Sequence, residues 1–301
     1  MDSVLNFSKA LVANGQPTLL LPLVSTGNVP QLTIDLMLHS LASEFQFIRA
    51  LDGVFLHPFL GPLDHSLDQD KPILYKSKLD SGSKFSTALE LFYNEEKNFY
   101  IIQQRTPIIQ GYMNNFIKET ILPLIMEFKI ENVIVLDSFG VLDELNLEGR
   151  NFNSNKSNGF CSLGSCNINS INELTRNFNT SLNVNTNNGN NHSNNEVDWF
   201  KFTGDSVQQE ISPKQDIFKF AYHLINSNLT TGSTLNEIKY LTCFVHEGDN
   251  SMDAKMFTEW ILRLLNWSTE ESPIHLKTPI SWKGVYGFNS IPDSFDEGIY
   301  I

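Results

Sequence analysis

The chain has 301 residues, 41% of them hydrophobic and 18% charged, which is ample apolar material for one large domain or two ordinary ones. Asp and Glu number 34 against 21 Lys and Arg, for a formal charge of −13. No cluster of Lys and Arg is present to neutralise phosphates, so nucleic-acid binding is disfavoured, whereas acidity suits solubility and steering toward a basic patch on a partner.

Thr18–Val24 reads as a buried strand, because Leu19, Leu20, Leu21, Leu23 and Val24 form an apolar run too short to span a bilayer. Ser25-Thr26-Gly27-Asn28 is a turn, and Pro30 suits the first position of a helix, where its missing N–H costs nothing. Leu32, Leu36, His39 and Ser40 share one face of that helix, with Ile34, Leu38 and Leu41 widening the stripe. A second strand at Phe45–Leu51 completes a strand–helix–strand unit and predicts a parallel sheet. Residues 53–80, with Pro58, Gly61, Pro62 and Pro72, form a long loop with short extended pieces.

Phe85–Tyr93 and Phe99–Arg105 are expected as an antiparallel hairpin around the turn 94–98. Gln110–Phe128 has helical spacing, with Pro123 kinking or dividing it. Asn132–Leu136 is a short buried strand. Residues 151–196 hold 17 Asn in 46 positions and few large apolar side chains, so they are expected to be a disordered Asn-rich insertion within one domain. Asp216–Asn226 reads as a helix, Lys239–Val245 as a strand, His246–Asn250 as a sharp turn and Ser251–Trp267 as an amphipathic helix. Residues 272–298 are expected to wrap over the domain before a tail emerges.

That tail ends in Ile299-Tyr300-Ile301 behind the acidic spacer 293–298, a hydrophobic–tyrosine–any-residue ending with a free carboxylate. Such an ending binds a partner without a folded site of its own. The apolar side chain fills a slot, the Tyr hydroxyl finds a hydrogen-bond partner, and the carboxylate meets a cation or a backbone nest.

Other candidate chemistry is thinner. The Ser25–Asn28 turn and the His246-Glu247-Gly248-Asp249 turn both lie at strand ends, where a doubly wound fold binds ligands, so a nucleoside- or phosphate-metabolising α/β enzyme is the alternative reading. Yet no G-x-G-x-x-G, P-loop or H-E-x-x-H pattern is present. A tight turn with a capped helix, and Gly248 with Asp249 or Asn250 capping the next helix, account for both turns. Cys161 and Cys166, with His192 beyond, lack a zinc spacing. His57, His65, His223 and His275 are scattered singly, and Asp35 and Glu44 are too far apart in sequence to count as a pair. The Asn-x-Ser/Thr triplets at Asn155 and Asn191 follow from Asn abundance. Three cysteines cannot all pair, and Met1-Asp2-Ser3 is not a basic leader, so a reducing, cytoplasmic setting is expected, with the nucleus as a second location.

Three blocks carry a resemblance. Pro22, Val24, Ser25, Gly27, Asn28, Val29, Gln31, Leu32, Asp35 and Leu36 form the first; Phe244, Val245, Glu247, Gly248, Asp249, Asn250, Asp253 and Ala254 form the second; Pro279, Ser281, Trp282, Lys283 and Gly287 form the third. In order and spacing they resemble the proteasome assembly chaperone 2 family, in its fungal type with a C-terminal hydrophobic–tyrosine tail. The resemblance implies a single α/β domain over 1–301, a mostly parallel sheet with helices on both faces (a three-layer α/β/α fold), with the 151–196 insertion lying outside the family core and a flexible tail at 293–301. It implies a protein that is not an enzyme and holds no cofactor or metal. It implies a heterodimer with proteasome assembly chaperone 1 that binds the ring of proteasome α-subunits. Ile299, Tyr300 and Ile301 then enter a pocket between α-subunits, where a lysine meets the terminal carboxylate.

Overall fold

Five successive buried residues, Thr18–Pro22, form β1, and a strand buried on both faces needs cover on both sides. The computed structural model describes residues 15–140, 161–168, 201–202, 216–231, 234–246 and 248–283. The other strands are β2 (Gln46–Ala50), β3 (Leu60–Pro62), β4 (Phe85–Thr87), β5 (Leu89–Asn94), β6 (Phe99–Gln104), β7 (Asn132–Gly140), β8 (Cys161–Asn167), β9 (Lys201–Phe202) and β10 (Glu237–Val245). Eight of them make one sheet in the order β2-β5-β6-β1-β7-β10-β8-β9, while β3 and β4 make a separate two-stranded ribbon. The central strands β6, β1, β7 and β10 pair in parallel, and only β5 and β8 run the other way.

Strand alternation splits the core into two layers. Leu20, Ile134, Leu136 and Leu241 pack with α1 (Val29–Ser40) and with Ala254, Phe257 and Ile261 of a helix at Ser251–Leu264. Leu19, Leu21, Val133 and Val135 face the other way, against Phe116, Ile121 and Leu124 and against Phe220 and Leu224 of a helix at Asp216–Thr231. The architecture is therefore the expected three-layer α/β/α one.

Several elements differ from their sequence reading. The strand after α1 points the same way as β1, yet it is not its neighbour: β2 sits at the sheet edge beside β5. Its residues are almost all exposed, Phe47 excepted, whereas β6 is buried throughout, so burial assigns β6 and not β2 to the place next to β1. The hairpin forms as β5–β6, with Asn98 in the left-handed region at φ 48°. Phe85–Thr87 leaves it and pairs with β3 instead.

The helix bearing Pro123 is divided. Counting a short α2 at Lys76–Asp80, its first piece is α3 (Met113–Phe116), followed by a wide π turn over Ile117–Ile121 and by α4 (Leu122–Glu127). Leu122 N–H bonds Ile117 O, five residues back, just before the proline that has no N–H to give. The helices at Asp216–Thr231 and Ser251–Leu264 are α5 and α6.

Within 151–196 the described residues are 161–168. Here Cys161–Asn167 is not without structure: it is β8, antiparallel to β10 from Cys161↔Cys243 to Asn167↔Glu237. This window holds Cys161, Leu163 and Cys166 before the buried Ile168. No helix among the described residues is long and apolar enough to cross a membrane.

Candidate functional site

Ile299, Tyr300 and Ile301 lie outside the described residues, as do His192 and Glu247. What the structure does describe is the C-terminal stretch as far as Lys283, and the two strand-end turns.

The two turns are brought together, and they fill each other. Gly27 and Asn28 are both left-handed, at φ 66° and 55°. A Cβ on Gly27 would come within 2.3 Å of Asn250 Nδ2, so the side chain of one turn occupies the space that the missing side chain of the other leaves. Asn250 Nδ2 in turn donates to Gly248 O at 3.0 Å. Ser25 faces Ser138 on β7, with Oγ atoms 2.9 Å apart, and Ser138 Oγ donates to Thr26 O at 2.6 Å. Asp249 Oδ1 accepts the Ser251 N–H at 3.0 Å, an Asx-type bond to the first N–H of α6, while Asn250 at the N-cap position makes no side-chain capping bond. The alternative enzyme reading needed a cleft at these strand ends, and here the Gly27 backbone is packed against Asn250.

Below the turns, Asp137 on β7 is buried. Its Oδ2 accepts the Tyr240 hydroxyl at 2.7 Å and its Oδ1 the Ser138 N–H at 2.8 Å. Burial pushes its carboxyl up to about 6, against the pull of those two hydrogen bonds, and burial next to Asp137 pushes the Tyr240 hydroxyl well above the usual tyrosine range.

The second assembly is a buried polar cluster that fastens residues 277–283 to the domain. Lys277 N–H donates to Ser40 Oγ at 2.8 Å, at the end of α1. Leu67 N–H donates to Thr278 O at 3.1 Å and Ile280 N–H to His65 O at 2.8 Å, flanking a bridge between Ser66 and Pro279. Ser281 donates twice to Asp64, from its N–H at 3.2 Å and from its hydroxyl at 2.5 Å. Trp282 is 2% exposed, and its Nε1 donates to Asp35 Oδ2 at 3.2 Å.

From Asp35 the network continues inward. Gln103 Nε2 donates to Asp35 Oδ1 at 2.5 Å. The Tyr75 hydroxyl lies 3.1 Å from Gln103 Oε1 and 3.0 Å from Glu90 Oε2. Lys78 Nζ pairs with Glu90 Oε1 and also donates to Phe85 O at 2.8 Å, on the β3–β4 ribbon. Burial raises the Tyr75 hydroxyl far above the usual range, with Glu90 adding to it. For Arg105, burial opposes the charge, but Asp35, Tyr75 and Asp64 more than offset it and hold the guanidinium firmly protonated. Burial lowers His39, and Asp64, with Nε2 to Oδ2 at 3.7 Å, only partly opposes that, so the imidazole is neutral at neutral pH. Three buried carboxylates thus sit among two cations and a neutral imidazole. Asp35 and Asp64 accept from Trp282 and Ser281 of the C-terminal stretch, and Glu90 is held by Lys78 and Tyr75, an arrangement that fastens segments together.

Sequence reasoning passed over this cluster. Asp35 was visible as the one carboxylate in α1, whose residues from Val29 to His39 are buried except Gln31. A charge in such a run signals a buried partner. Asp64, Gln103 and Arg105 gave no such signal, because their meeting depends on contacts far apart in the chain. Of the scattered histidines, His65 contributes backbone to the fastening and His223 Nε2 lies 3.0 Å from Asn114 Oδ1, between α5 and α3. Among the described residues no group of His, Cys, Asp or Glu is placed to hold a metal ion.

Comparison with known proteins places the chain. The curated protein "Proteasome assembly chaperone 2" of Saccharomyces cerevisiae is 37% identical over 278 residues, covering 92% of this chain and 97% of that one. Its namesake from Nematostella vectensis is 30% identical over 131 residues, covering 44% and 49%. Among solved structures, Pyrococcus furiosus PbaA, described as an archaeal homolog of proteasome-assembly chaperone, covers 88% of this chain and 89% of its own, at 13% identity and a TM-score of 0.44. The profile of the PAC2 family matches residues 19–242, and with the yeast relative matched along nearly its whole length, the chain belongs to the PAC2 family.

Proposed function

We propose that this chain is a non-enzymatic chaperone for assembly of the 20S proteasome core, working as a heterodimer with proteasome assembly chaperone 1 in the cytoplasm and the nucleus. The observation that carries the reading is the 37% identity to the yeast assembly chaperone over 92% of the chain. In this reading the α-subunit ring is held by contacts from the domain body and by Ile299, Tyr300 and Ile301.

The energetics suit a reversible hold. A carboxylate–ammonium pair at about 4 Å is worth roughly 4 kcal/mol at an effective dielectric near 20, before desolvation. Ordering the tail takes back a share of that. One tripeptide is therefore a weak ligand, and avidity with body contacts raises the affinity through effective concentration. The experiment is recovery of α-subunit intermediates with the tagged full chain and with a chain lacking 299–301. Recovery is expected with the first and reduced with the second. Equal recovery removes the tail mechanism, and none with either removes the function.

A further inference from the structure

His39 stands where residues 277–283 are fastened to the domain. It is 1% exposed near the end of α1, and the stretch holds that helix on both sides of it. Trp282 Nε1 donates to Asp35, about one turn before His39, and Lys277 N–H donates to Ser40, the next residue. The third fastening is Asp64, which takes the Ser281 N–H on Oδ1 and the Ser281 hydroxyl on Oδ2, the latter at 2.5 Å. His39 Nε2 faces that same Oδ2 at 3.7 Å, too far for a hydrogen bond, and finds no other partner among the described residues. One carboxylate oxygen therefore lies between the hydroxyl that fastens the stretch and a ring nitrogen that does not hold it.

The charged and titratable groups around the ring come from three segments. Asp35 is on α1 itself, Asp64 and His65 follow β3, and Arg105 follows β6. The two carboxylates favour an imidazolium, Arg105 and His65 oppose it, and burial opposes it most. The closed arrangement thus suits a neutral ring and penalises a charged one. Detaching 277–283 breaks the bonds at Asp35, Ser40 and Asp64 and admits water to the ring, whose proton affinity then returns toward the ordinary value near 6.5. An imidazolium also carries hydrogen on both nitrogens, so Nε2 becomes a charged donor that competes with the Ser281 hydroxyl for Asp64 Oδ2. Both effects favour the open form once the ring is protonated.

We propose that His39 is a proton-operated latch for the C-terminal stretch: its neutral ring lets residues 277–283 dock on α1 and Asp64, and a proton on the ring releases them. Because the closed form holds His39 below its ordinary value, the stability of docking is complete above about pH 6.5 and is lost as pH falls toward the closed-form value. For one proton the open fraction rises by at most about tenfold per pH unit.

The test is amide hydrogen exchange of the full chain at about pH 7.5 and about pH 5.5, corrected for the intrinsic rate, beside His39→Gln, which cannot take the proton. The amides of Lys277, Ile280 and Ser281, each hydrogen-bonded in the closed form, are expected to open about fivefold to tenfold more often at the lower pH. Those of β1 should not follow, and His39→Gln should abolish the rise. No rise in the native chain, an equal rise in β1, or the same rise in His39→Gln overturns the proposal. Should His39→Gln fail to fold, imidazole NMR of the native chain and of Trp282→Phe decides. A native midpoint below about 6.5 that moves up in Trp282→Phe is the result expected from reciprocal linkage. A native midpoint at or above about 6.5, or one that Trp282→Phe leaves in place, overturns it.

Discussion

Trp282 Nε1 and Asp35 Oδ2 are 3.2 Å apart across 247 residues of sequence, and this bond ties the C-terminal stretch to the first helix. Asp35 also accepts from Gln103, so removing the indole N–H leaves the buried carboxylate one donor short. Trp282→Phe is expected to lower unfolding stability by about 1–3 kcal/mol, the usual cost of a buried acceptor losing its partner. In hydrogen exchange, amides of 277–283 should lose protection before those of β1. Protection lost equally in both places would mean that the bond supports the whole fold and not this segment.

Lys78 and Glu90 form a buried pair, 8% and 0% exposed, with Thr87 N–H also donating to Glu90 at 3.0 Å. Breaking such a pair from one side leaves a buried charge uncompensated. Lys78→Met should therefore cost about 3–5 kcal/mol in urea unfolding, and the double variant with Glu90→Leu distinctly less. Additive losses would show that the two charges do not depend on each other.

Gly27 has no room for a side chain. Gly27→Ala meets Asn250 at 2.3 Å and also places a Cβ at φ 66°, so a loss of about 2–4 kcal/mol is expected. Adding Asn250→Ala should restore part of it, because the clash goes while the backbone penalty of roughly 1–2 kcal/mol stays. Thermal midpoints of the three variants decide; no recovery in the double variant would place the whole cost in the backbone.

Asp137 gives a pH signature. Its folded pKa, about 6, is raised above the unfolded value near 4, so the folded state favours the protonated acid. The stability this confers is complete below about pH 4 and is lost as pH rises through 6. The stability of the native chain minus that of Asp137→Asn should fall by up to about 3 kcal/mol between pH 4 and pH 7. Carboxyl NMR should show a midpoint near 6, and one near 4 would refute the assignment.

Local patterns reported local facts. The apolar run at Leu19–Leu21 is a central strand, α1 carries Pro30 in its first turn, Pro123 divides its helix, and Asp249 holds the first N–H of α6. Each rests on the spacing or backbone chemistry of neighbouring residues, which a chain carries in its order. The resemblance in three blocks pointed to the family for the same reason, since turn residues and apolar spacing stay together along the chain.

Placement across the sheet was a different matter. That β6 and not β2 lies beside β1, that Phe85–Thr87 leaves the hairpin to pair with β3, and that Cys161–Asn167 joins β10 all depend on competition among strands for buried edges. The polar cluster of Asp35, Asp64, Gln103 and Trp282 is the extreme case. Apart from the His65 N–H that Asp64 accepts, these side chains find their partners far away in sequence, and each is stable in the interior because those partners arrive there. The sequence by itself determined most of the helices and central strands, the family and the residues of the tail. Only the tertiary structure decided which buried charges meet, because burial demands a partner without saying which one the fold will supply.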